Sequence, residues 1–194
     1  MSLQKKTHKI TVTAMLGAIA TVLMFLDFPI PFLIPPFVKM DFSELPALLA
    51  AFSLGPVSGV AVCFIKNLVH ALNTTTGFVG ELCNFLLGCC FVIPAGLIYR
   101  RKKTRRSALI AASVGTLAMG VLSIPINYYI SYPFYTSFMP LDQIIGMYQS
   151  LIPSVDGLLA CLIVFNAPFT MLKGVLDTIL AFLIYKSLSP LLHK

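Results

Sequence analysis

The fold of this chain depends on how residues 42–72 are divided, FSELPALLAAFSLGPVSGVAVCFIKNLVHAL. This apolar run is interrupted at Ser53-Leu-Gly-Pro56, where a proline cannot continue one helix and a glycine permits a turn. It holds either one long helix or two short ones. Lysine and arginine collect on the cytoplasmic side of a membrane, and only two crossings here place the basic cluster 100–106 beside the N-terminus. We therefore predict two short helices, 42–54 and 57–72.

The composition of the whole chain supports this membrane interpretation. Of the 194 residues, 58% are hydrophobic and 11% are charged, and the mean hydropathy is +0.90. A soluble domain has about 25% charged residues, so a soluble globular protein is excluded. Six helices of about 20 residues need roughly 120 residues, which the chain can supply. The apolar runs are continuous and do not alternate as barrel strands do, which argues against a β-barrel.

We predict an all-α membrane protein, a single integral-membrane domain over residues 1–194 with six transmembrane helices and both termini cytoplasmic. The predicted helices are 10–28, 42–54, 57–72, 78–99, 107–130 and 158–188. The net charge is +7, and most of the basic residues lie in clusters that flank apolar runs, where they indicate topology and contact with lipid headgroups rather than binding to nucleic acid. This topology places at or near the outer face Asp27, Asp41, Glu44, Glu81, Asp142 and Asp156.

Two long outer connections follow from the same topology, at 29–41 and 131–156. The first begins with PIPFLIPP, residues 29–36, and its prolines fix the backbone and make it stiff. It is either a plain surface loop or a lid over a cavity, and we predict a lid. The second has no helix pattern of its own.

Lys173 lies in the middle of the last apolar run. An ionised side chain near the bilayer centre costs about 2.5–3.5 kcal/mol on insertion scales, so Lys173 must face protein or water. Either the run is one unbroken helix, or Pro168 opens the spanning helix and Lys173 points into an outward cavity. The structural alternative is an internal ion pair with Asp177, which is four residues further along the same helix face.

Other polar residues also occur where lipid would disfavour them. Glu81 and Asn84 open the fourth predicted helix, Asn127 lies near the end of the fifth, and Lys66 and His70 share a face of the third. Together they predict a polar-lined cavity that opens outward. Aromatic side chains suited to a flat ligand are expected around it, namely Phe32, Phe37, Phe78, Tyr128, Tyr129 and Phe169.

The sequence contains no motif for nucleotide or metal chemistry. It has no Gly-x-x-x-x-Gly-Lys-[Ser/Thr] loop, no His-Glu-x-x-His and no Gly-x-Ser-x-Gly. The five cysteines lie inside apolar segments without the spacing of a metal site. We therefore expect no metal and no cofactor, and any uphill transport must take its energy from another subunit or an ion gradient.

Four stretches of the chain carry a family resemblance: LDFPIPFLIPPFVKMDFSELPALLA (26–50), IKNLVH (65–70), GFVGELCN (77–84) and PFTMLKG (168–174). They resemble riboflavin-specific S components, the substrate-binding subunits of energy-coupling factor (ECF) transporters. The resemblance implies a six-helix bundle in the bacterial cell membrane that captures riboflavin from outside. The implied partners are a transmembrane coupling (T) subunit and two cytosolic ATPases, with riboflavin as the transported substrate.

The resemblance also implies roles for individual residues. Asn127 matches an asparagine on the fifth helix that holds the flavin ring, and the family pattern Asn-x-x-Lys on the sixth helix here reads Thr170-x-x-Lys173. The lysine is kept, and a hydroxyl replaces the amide. Ala14-x-x-x-Ala18 matches the small-residue face that meets the coupling subunit, although the pair suits packing within the chain equally well. The remaining substrate-binding candidates lie in the matching stretches: Phe37, Lys39, Asp41, Gly80, Glu81 and Asn84.

The chemistry of these side chains suits a flavin, whose pyrimidine edge alternates carbonyl acceptors with an N–H donor. Asn127 can donate and accept, while Lys173 can donate to a carbonyl. Two alternatives stay open at this point. One is an S component for another vitamin such as thiamine or biotin. The other is a membrane-embedded enzyme that uses Lys173–Asp177 or Glu81 as acid and base groups.

Overall fold

The computed structural model describes residues 3–74 and 76–192. Within these residues, four helices are long and apolar enough to cross a membrane: Leu3–Phe25, Val79–Arg101, Arg105–Tyr135 and Gly157–Ile184. The protein is therefore a mostly helical membrane protein. The finer prediction of six crossings with cytoplasmic termini stays a prediction.

The helices and strands follow one another along the chain with short connections. The helices are α1 (Leu3–Phe25), α2 (Glu44–Ser53), α3 (Pro56–His70), α4 (Val79–Arg101), α5 (Arg105–Ile126), α6 (Tyr132–Tyr135), α7 (Leu141–Gln149), α8 (Gly157–Cys161) and α9 (Ala167–Leu192). The strands are β1 (Phe28–Pro29) and β2 (Lys39–Met40). Two π-helical segments, Asn127–Ser131 and Leu162–Asn166, join α5 to α6 and α8 to α9.

The run 42–72 forms two helices, α2 and α3, that turn at Gly55 and Pro56. Gly55 has a φ of 101°, a conformation that disfavours a side chain, and Pro56 is the first residue of α3. With 10 and 15 residues, the helices are about 15 and 22 Å long, shorter than the roughly 30 Å hydrocarbon core. Residues 44–52 of α2 are all buried, so this short helix is enclosed by protein.

Both long helices after residue 105 contain a proline beside a π-helical segment. Pro133 lies two residues after the segment Asn127–Ser131, and Pro168 lies two residues after the segment Leu162–Asn166. The wider turn accommodates a residue that has no backbone N–H to donate. The span Gly157–Ile184 continues through α8, the π-helical segment and α9, so Pro168 does not open the spanning helix.

The first long connection is tied at its base by a small antiparallel ribbon, in which Phe28 lies opposite Met40 and Pro29 opposite Lys39. This two-stranded ribbon is a departure from the all-α prediction. The connection begins earlier than expected because α1 ends at Phe25 and not at residue 28. Helix α1 also starts at Leu3, seven residues before the predicted start.

Helix α6 continues the span Arg105–Tyr135 beyond its predicted end at residue 130. The rest of the second long connection contains the short helix α7, so the expectation that it lacks a helix pattern is wrong. Leu141, Ile144, Ile145 and Tyr148 recur at the helical spacing i, i+3, i+4 and i+7. Ile144 and Tyr148 are buried. This short amphipathic pattern was available in the sequence and predicts α7.

Two groups of buried apolar side chains hold the fold together. We name the first the alanine-rich core; its most buried members include Ala20, Ala47, Ala50, Phe91, Ala95, Ala111 and Ala112, from α1, α2, α4 and α5. We name the second the loop-side core; it joins the first connection and α7 to the long helices through Ile34, Met40, Tyr132, Ile144, Tyr148, Leu162 and Phe165. A cavity opens beside the loop-side core.

Candidate ligand-binding cavity

A cavity of about 180 Å³ lies between α4, the two π-helical segments and α9, beneath the connection 26–43. The predicted site residues that line it are Phe37, Lys39, Gly80, Asn84, Asn127, Thr170 and Lys173. Its wall also contains residues that sequence reasoning did not assign to a site, among them Cys83, Ser131, Tyr132, Tyr135 and Asn166. The structure therefore brings together side chains from the first connection and from the fourth, fifth and sixth predicted helices.

The two π-helical segments place amides in the wall of this cavity. Asn127 begins the first segment and Asn166 ends the second. A π turn holds more residues than an α turn and occurs frequently at functional sites. The two wide turns put one carboxamide on each side of the cavity, and each carboxamide can both donate and accept.

Lys173 reaches the cavity from α9 and is paired with Asp41 of the first connection. Lys173 Nζ donates to Asp41 Oδ2 at 2.7 Å, and the backbone N–H of Ser43 donates to Asp41 Oδ1 at 2.8 Å. The Ser43 hydroxyl also donates to Asp41 Oδ1. Burial raises the pKa of Asp41, but Lys173, Lys66 and these hydrogen bonds outweigh burial and lower the pKa to about 2. Asp41 stabilises the fold above its ordinary pKa of 3.8, and that contribution is lost as the pH falls through about 2.

The structure therefore corrects one expectation about charged residues. Lys173 pairs with Asp41 and not with Asp177, because the connection 26–43 brings Asp41 over α9. Asp41 and Glu44, which the predicted topology places at or near the outer face, are both buried by protein. Both carboxylates find a lysine there, which compensates for their loss of water.

The second buried pair joins α2 to α3. Lys66 Nζ donates to Glu44 Oε1 at 2.6 Å and to Ser43 Oγ at 2.6 Å, while Cys63 Sγ lies 3.6 Å from Glu44 Oε2. A side chain at Gly88 would come within 2.9 Å of Glu44 Oε2, so glycine leaves room for the carboxylate. Lys66 is thus part of the frame of the bundle and does not line the cavity.

Two of the predicted substrate-binding residues, Asp41 and Glu81, do not line the cavity. The Glu81 side chain is engaged elsewhere. Its carboxylate accepts hydrogen bonds from Thr74 Oγ1 at 2.9 Å and Thr76 Oγ1 at 3.1 Å, and it lies 2.9 Å from His70 Nδ1. Thr74 and Thr76 lie in the connection between α3 and α4, and His70 is the last residue of α3. Glu81 therefore stabilises that connection, and its oxygens are occupied by protein groups.

The aromatic prediction is right in part. Phe37 and Phe169 line the cavity, and Tyr132 and Tyr135 join them. Four expected members do not line it, because they point outward from the bundle or, for Tyr128, pack against a neighbouring ring: Phe32, Phe78, Tyr128 and Tyr129.

A buried hydrogen-bonded group of three residues, which we call the Tyr–Tyr–Asn triad, closes one side of the cavity. Tyr148 Oη donates to Asn166 Oδ1 at 2.8 Å, Asn166 Nδ2 donates to Tyr132 Oη at 3.2 Å, and the two tyrosine hydroxyls contact each other. The ring of Phe37 packs edge-on against Tyr148 with centroids 6.1 Å apart. The triad thus links α7 to α6 and to the π-helical segment Leu162–Asn166, and Phe37 connects it to the first connection. A sequence signal existed for Asn166, which precedes Thr170 by four residues and Lys173 by seven and so shares their helix face.

The small-residue pair of α1, Ala14 and Ala18, does not pack against the other residues that the structure describes. Ala14 and Ala18 are exposed, whereas Gly17 faces α3. A side chain at Gly17 would lie 3.0 Å from Ile65. The packing of α1 within the chain therefore uses Gly17 and leaves the Ala14-x-x-x-Ala18 pair uncovered.

Comparison with known proteins gives a consistent result. A family model described as ECF transporter, substrate-specific component, matches residues 8–185. The riboflavin transporter RibU of Staphylococcus aureus is 34% identical over 194 residues, which covers 100% of this chain and 96% of that protein. The riboflavin transporter FmnP of Bacillus subtilis is 33% identical, covering 97% and 96%. A solved structure of the S component of a bacterial ECF transporter is 33% identical, with a TM-score of 0.76, covering 97% of this chain and 99% of that one.

These matches extend over the whole bundle, including the connection 26–43 and the cavity wall. The family is one of transporter components, so the alternative of a membrane-embedded enzyme is wrong. Among residues 3–74 and 76–192, no group of three or more histidine, cysteine or acidic side chains is placed to hold a metal ion. By sequence and by fold, the chain belongs to the family of substrate-specific components of ECF transporters.

Proposed function

We propose that this protein is the riboflavin-binding subunit of an ECF-type vitamin uptake transporter. The observation that carries the proposal is the cavity, in which the ammonium of Lys173 and the amides of Asn84, Asn127 and Asn166 face one space beside aromatic rings. Such a set matches a flat heterocycle whose edge alternates acceptors and donors. The relatives named as riboflavin transporters support the same ligand.

Recognition of the flavin ring rests on Asn127, Lys173 and Thr170. Lys173 has three N–H donors, of which Asp41 uses one, so the others are free for a ligand carbonyl. Asp41 also fixes the direction of the lysine side chain. Thr170 offers a single hydroxyl, whereas the amide of Asn127 supplies both donors and an acceptor. The Asn166 amide is already engaged by Tyr148 and Tyr132.

The charge of the cavity favours an uncharged ligand. Lys173 is paired with Asp41, and Lys39 is paired with Asp27 at 3.1 Å, so both lysines in the wall already have a counter-ion. Riboflavin has no phosphate and needs no further positive charge. A phosphorylated flavin would have to compete with Asp41 and Asp27 for the lysines, which makes it the poorer ligand.

In the proposed function the protein crosses the bacterial plasma membrane six times with both termini cytoplasmic. It captures riboflavin from outside beneath the connection 29–41, which acts as a lid. It then delivers riboflavin inward with a transmembrane T subunit and two cytosolic ATPases. The exposed pair Ala14 and Ala18 is the surface for the T subunit, because small residues allow another helix to approach closely.

The test of the ligand is riboflavin binding to the detergent-purified protein. We expect a yellow preparation that releases intact riboflavin on denaturation. Lys173→Ala should bind riboflavin at least about tenfold more weakly in a fluorescence titration, because a charge-assisted hydrogen bond is lost. Lys103→Ala makes the same charge change at an exposed position and should bind normally. A colourless protein that fails to bind added riboflavin would overturn the proposed function, and normal affinity of Lys173→Ala would overturn only the role of Lys173.

The test of the partner surface is Ala14→Trp. This variant should bind riboflavin normally but lose uptake in cells or vesicles that contain the coupling subunits, because the indole blocks close helix contact. Ile19→Trp is the control, since Ile19 is also exposed on α1 but lies outside the alanine pair. Undiminished uptake by Ala14→Trp would refute the assigned surface.

A further inference from the structure

Five ionisable side chains are buried next to one another between the first connection and helices α2, α3 and α9. They are Asp41, Glu44, Lys66, Lys173 and Asp177, and each is at most 9% exposed. The two lysines are both engaged, Lys173 by Asp41 at 2.7 Å and Lys66 by Glu44 at 2.6 Å. One carboxyl group, that of Asp177, is left over.

The surroundings of Asp177 do not stabilise a second negative charge. Asp177 is fully buried, and among the residues that the structure describes neither of its oxygens has a hydrogen-bond partner. The charged groups that act on it are Lys173 of its own helix, Asp41 of the first connection, Glu44 of α2 and Lys66 of α3. An isolated ionised carboxylate is strongly disfavoured in such a place, so Asp177 is a neutral acid in this arrangement.

The count of charges leads to the same conclusion. With all three carboxyl groups ionised, the two lysines would leave a net negative charge inside the bundle. With one proton on Asp177 the cluster is neutral. Charge balance thus requires one proton among the three carboxyl groups, and Asp177 is the carboxyl group without a lysine or a hydrogen-bond partner among the residues that the structure describes.

Asp177 is placed so that, once it has lost its proton, it can accept a hydrogen bond from Lys173. The two residues are four apart on α9 and share a helix face. The lysine ammonium sits on a flexible four-carbon stem, so it can turn from Asp41 toward Asp177 without a change in the helix. Asp41, in contrast, belongs to the connection 26–43 that covers the cavity.

We propose that Asp177 is a proton-binding site and the reserve counter-ion of Lys173. While Asp41 accepts from Lys173, Asp177 carries the proton. When the connection 26–43 carries Asp41 away and admits water to the cluster, the O–H bond of Asp177 breaks, its proton passes to that water, and Lys173 donates to the carboxylate that remains. The return of Asp41 reverses each step, and the buried cluster stays neutral in both arrangements. This inference goes beyond riboflavin binding and is tested without a ligand.

The experiment is infrared spectroscopy of the purified full chain at neutral pH, in the region of the carbonyl stretch of protonated carboxylic acids. The wild-type protein should show this band, and Asp177→Asn should lack it. Asp41→Asn should lack it as well, because Asp177 then ionises to pair with Lys173. The control Asp156→Asn changes an exposed carboxylate and should retain the band. A band that survives in Asp177→Asn, or persists unchanged in Asp41→Asn, would overturn the proposal.

If Asp177→Asn does not fold, the infrared comparison of Asp41→Asn with the wild-type protein is sufficient to test the proposal. Where all variants fold, the double variant Asp41→Asn, Asp177→Asn leaves Lys173 with no counter-ion. Its unfolding temperature should drop by more than the sum of the two single drops. Additive drops would contradict a shared lysine.

Discussion

The alanine-rich core and the loop-side core hold their helices together in different ways. In the first, small residues let backbones approach, as at Gly115, where an added Cβ would lie 2.5 Å from the carbonyl oxygen of Phe91. In the second, large aromatic rings and the Tyr–Tyr–Asn triad join short segments to the long helices. Lipid gives little hydrophobic drive for helix association, so the frame relies on close packing. The loop-side core relies instead on a few specific contacts, which suits the region of the molecule that the proposed ligand must pass.

The largest effect is expected from a bulky residue in the alanine-rich core. Gly115→Leu forces α4 and α5 apart because the new side chain meets backbone and not a flexible group, and it should cost about 3 kcal/mol or more of stability. The measurement is thermal unfolding in detergent. Gly146→Leu is the matched control, since nothing lies within 4 Å of a Cβ at that position of α7. Equal unfolding temperatures for the two variants would contradict the close-packed frame.

A smaller effect is expected from loss of one hydroxyl in the loop-side core. Tyr148→Phe leaves Asn166 Oδ1 without its donor and should cost about 1–2 kcal/mol. Since Phe37 packs on Tyr148, riboflavin should also dissociate faster, which stopped-flow fluorescence can follow. Tyr129→Phe removes an exposed hydroxyl and serves as the control. If both variants release riboflavin at the wild-type rate, the triad does not hold the connection 26–43 over the cavity.

The smallest effect is expected at the exposed surface of the connection 26–43. Lys39 and Asp27 form an ion pair at 3.1 Å, but their side chains are 49% and 28% exposed. Water and salt screen such a pair, so Asp27→Asn should cost below about 1 kcal/mol, and the difference should vanish at high salt. Asp142→Asn, at another exposed position, provides the baseline. A salt-independent loss would show that this pair behaves like the buried ones.

Much of the cavity could be predicted from local patterns. Asn127 and Lys173 stand out because polar side chains in apolar helices need a protein or water environment. Thr170 is assigned only through the family resemblance. Glu81 stands out for the same reason, but its side chain is bound by Thr74 and Thr76 in the connection before α4. The geometry of that connection cannot be predicted from a helical pattern. Asn166 and α7 carried helical-period signals that were short and easily overlooked.

By itself, the amino-acid sequence determined that this is a membrane protein, where its apolar helices run and that they break at Gly55 and Pro56. These properties depend on neighbouring residues, on proline and glycine stereochemistry and on the hydrophobicity of continuous runs. The tertiary structure alone decided that Lys173 pairs with Asp41, 132 residues away, and that Asp177 has no hydrogen-bond partner within residues 3–74 and 76–192. Such a choice is set by how the first connection closes over the last helix, and no local pattern contains that distance.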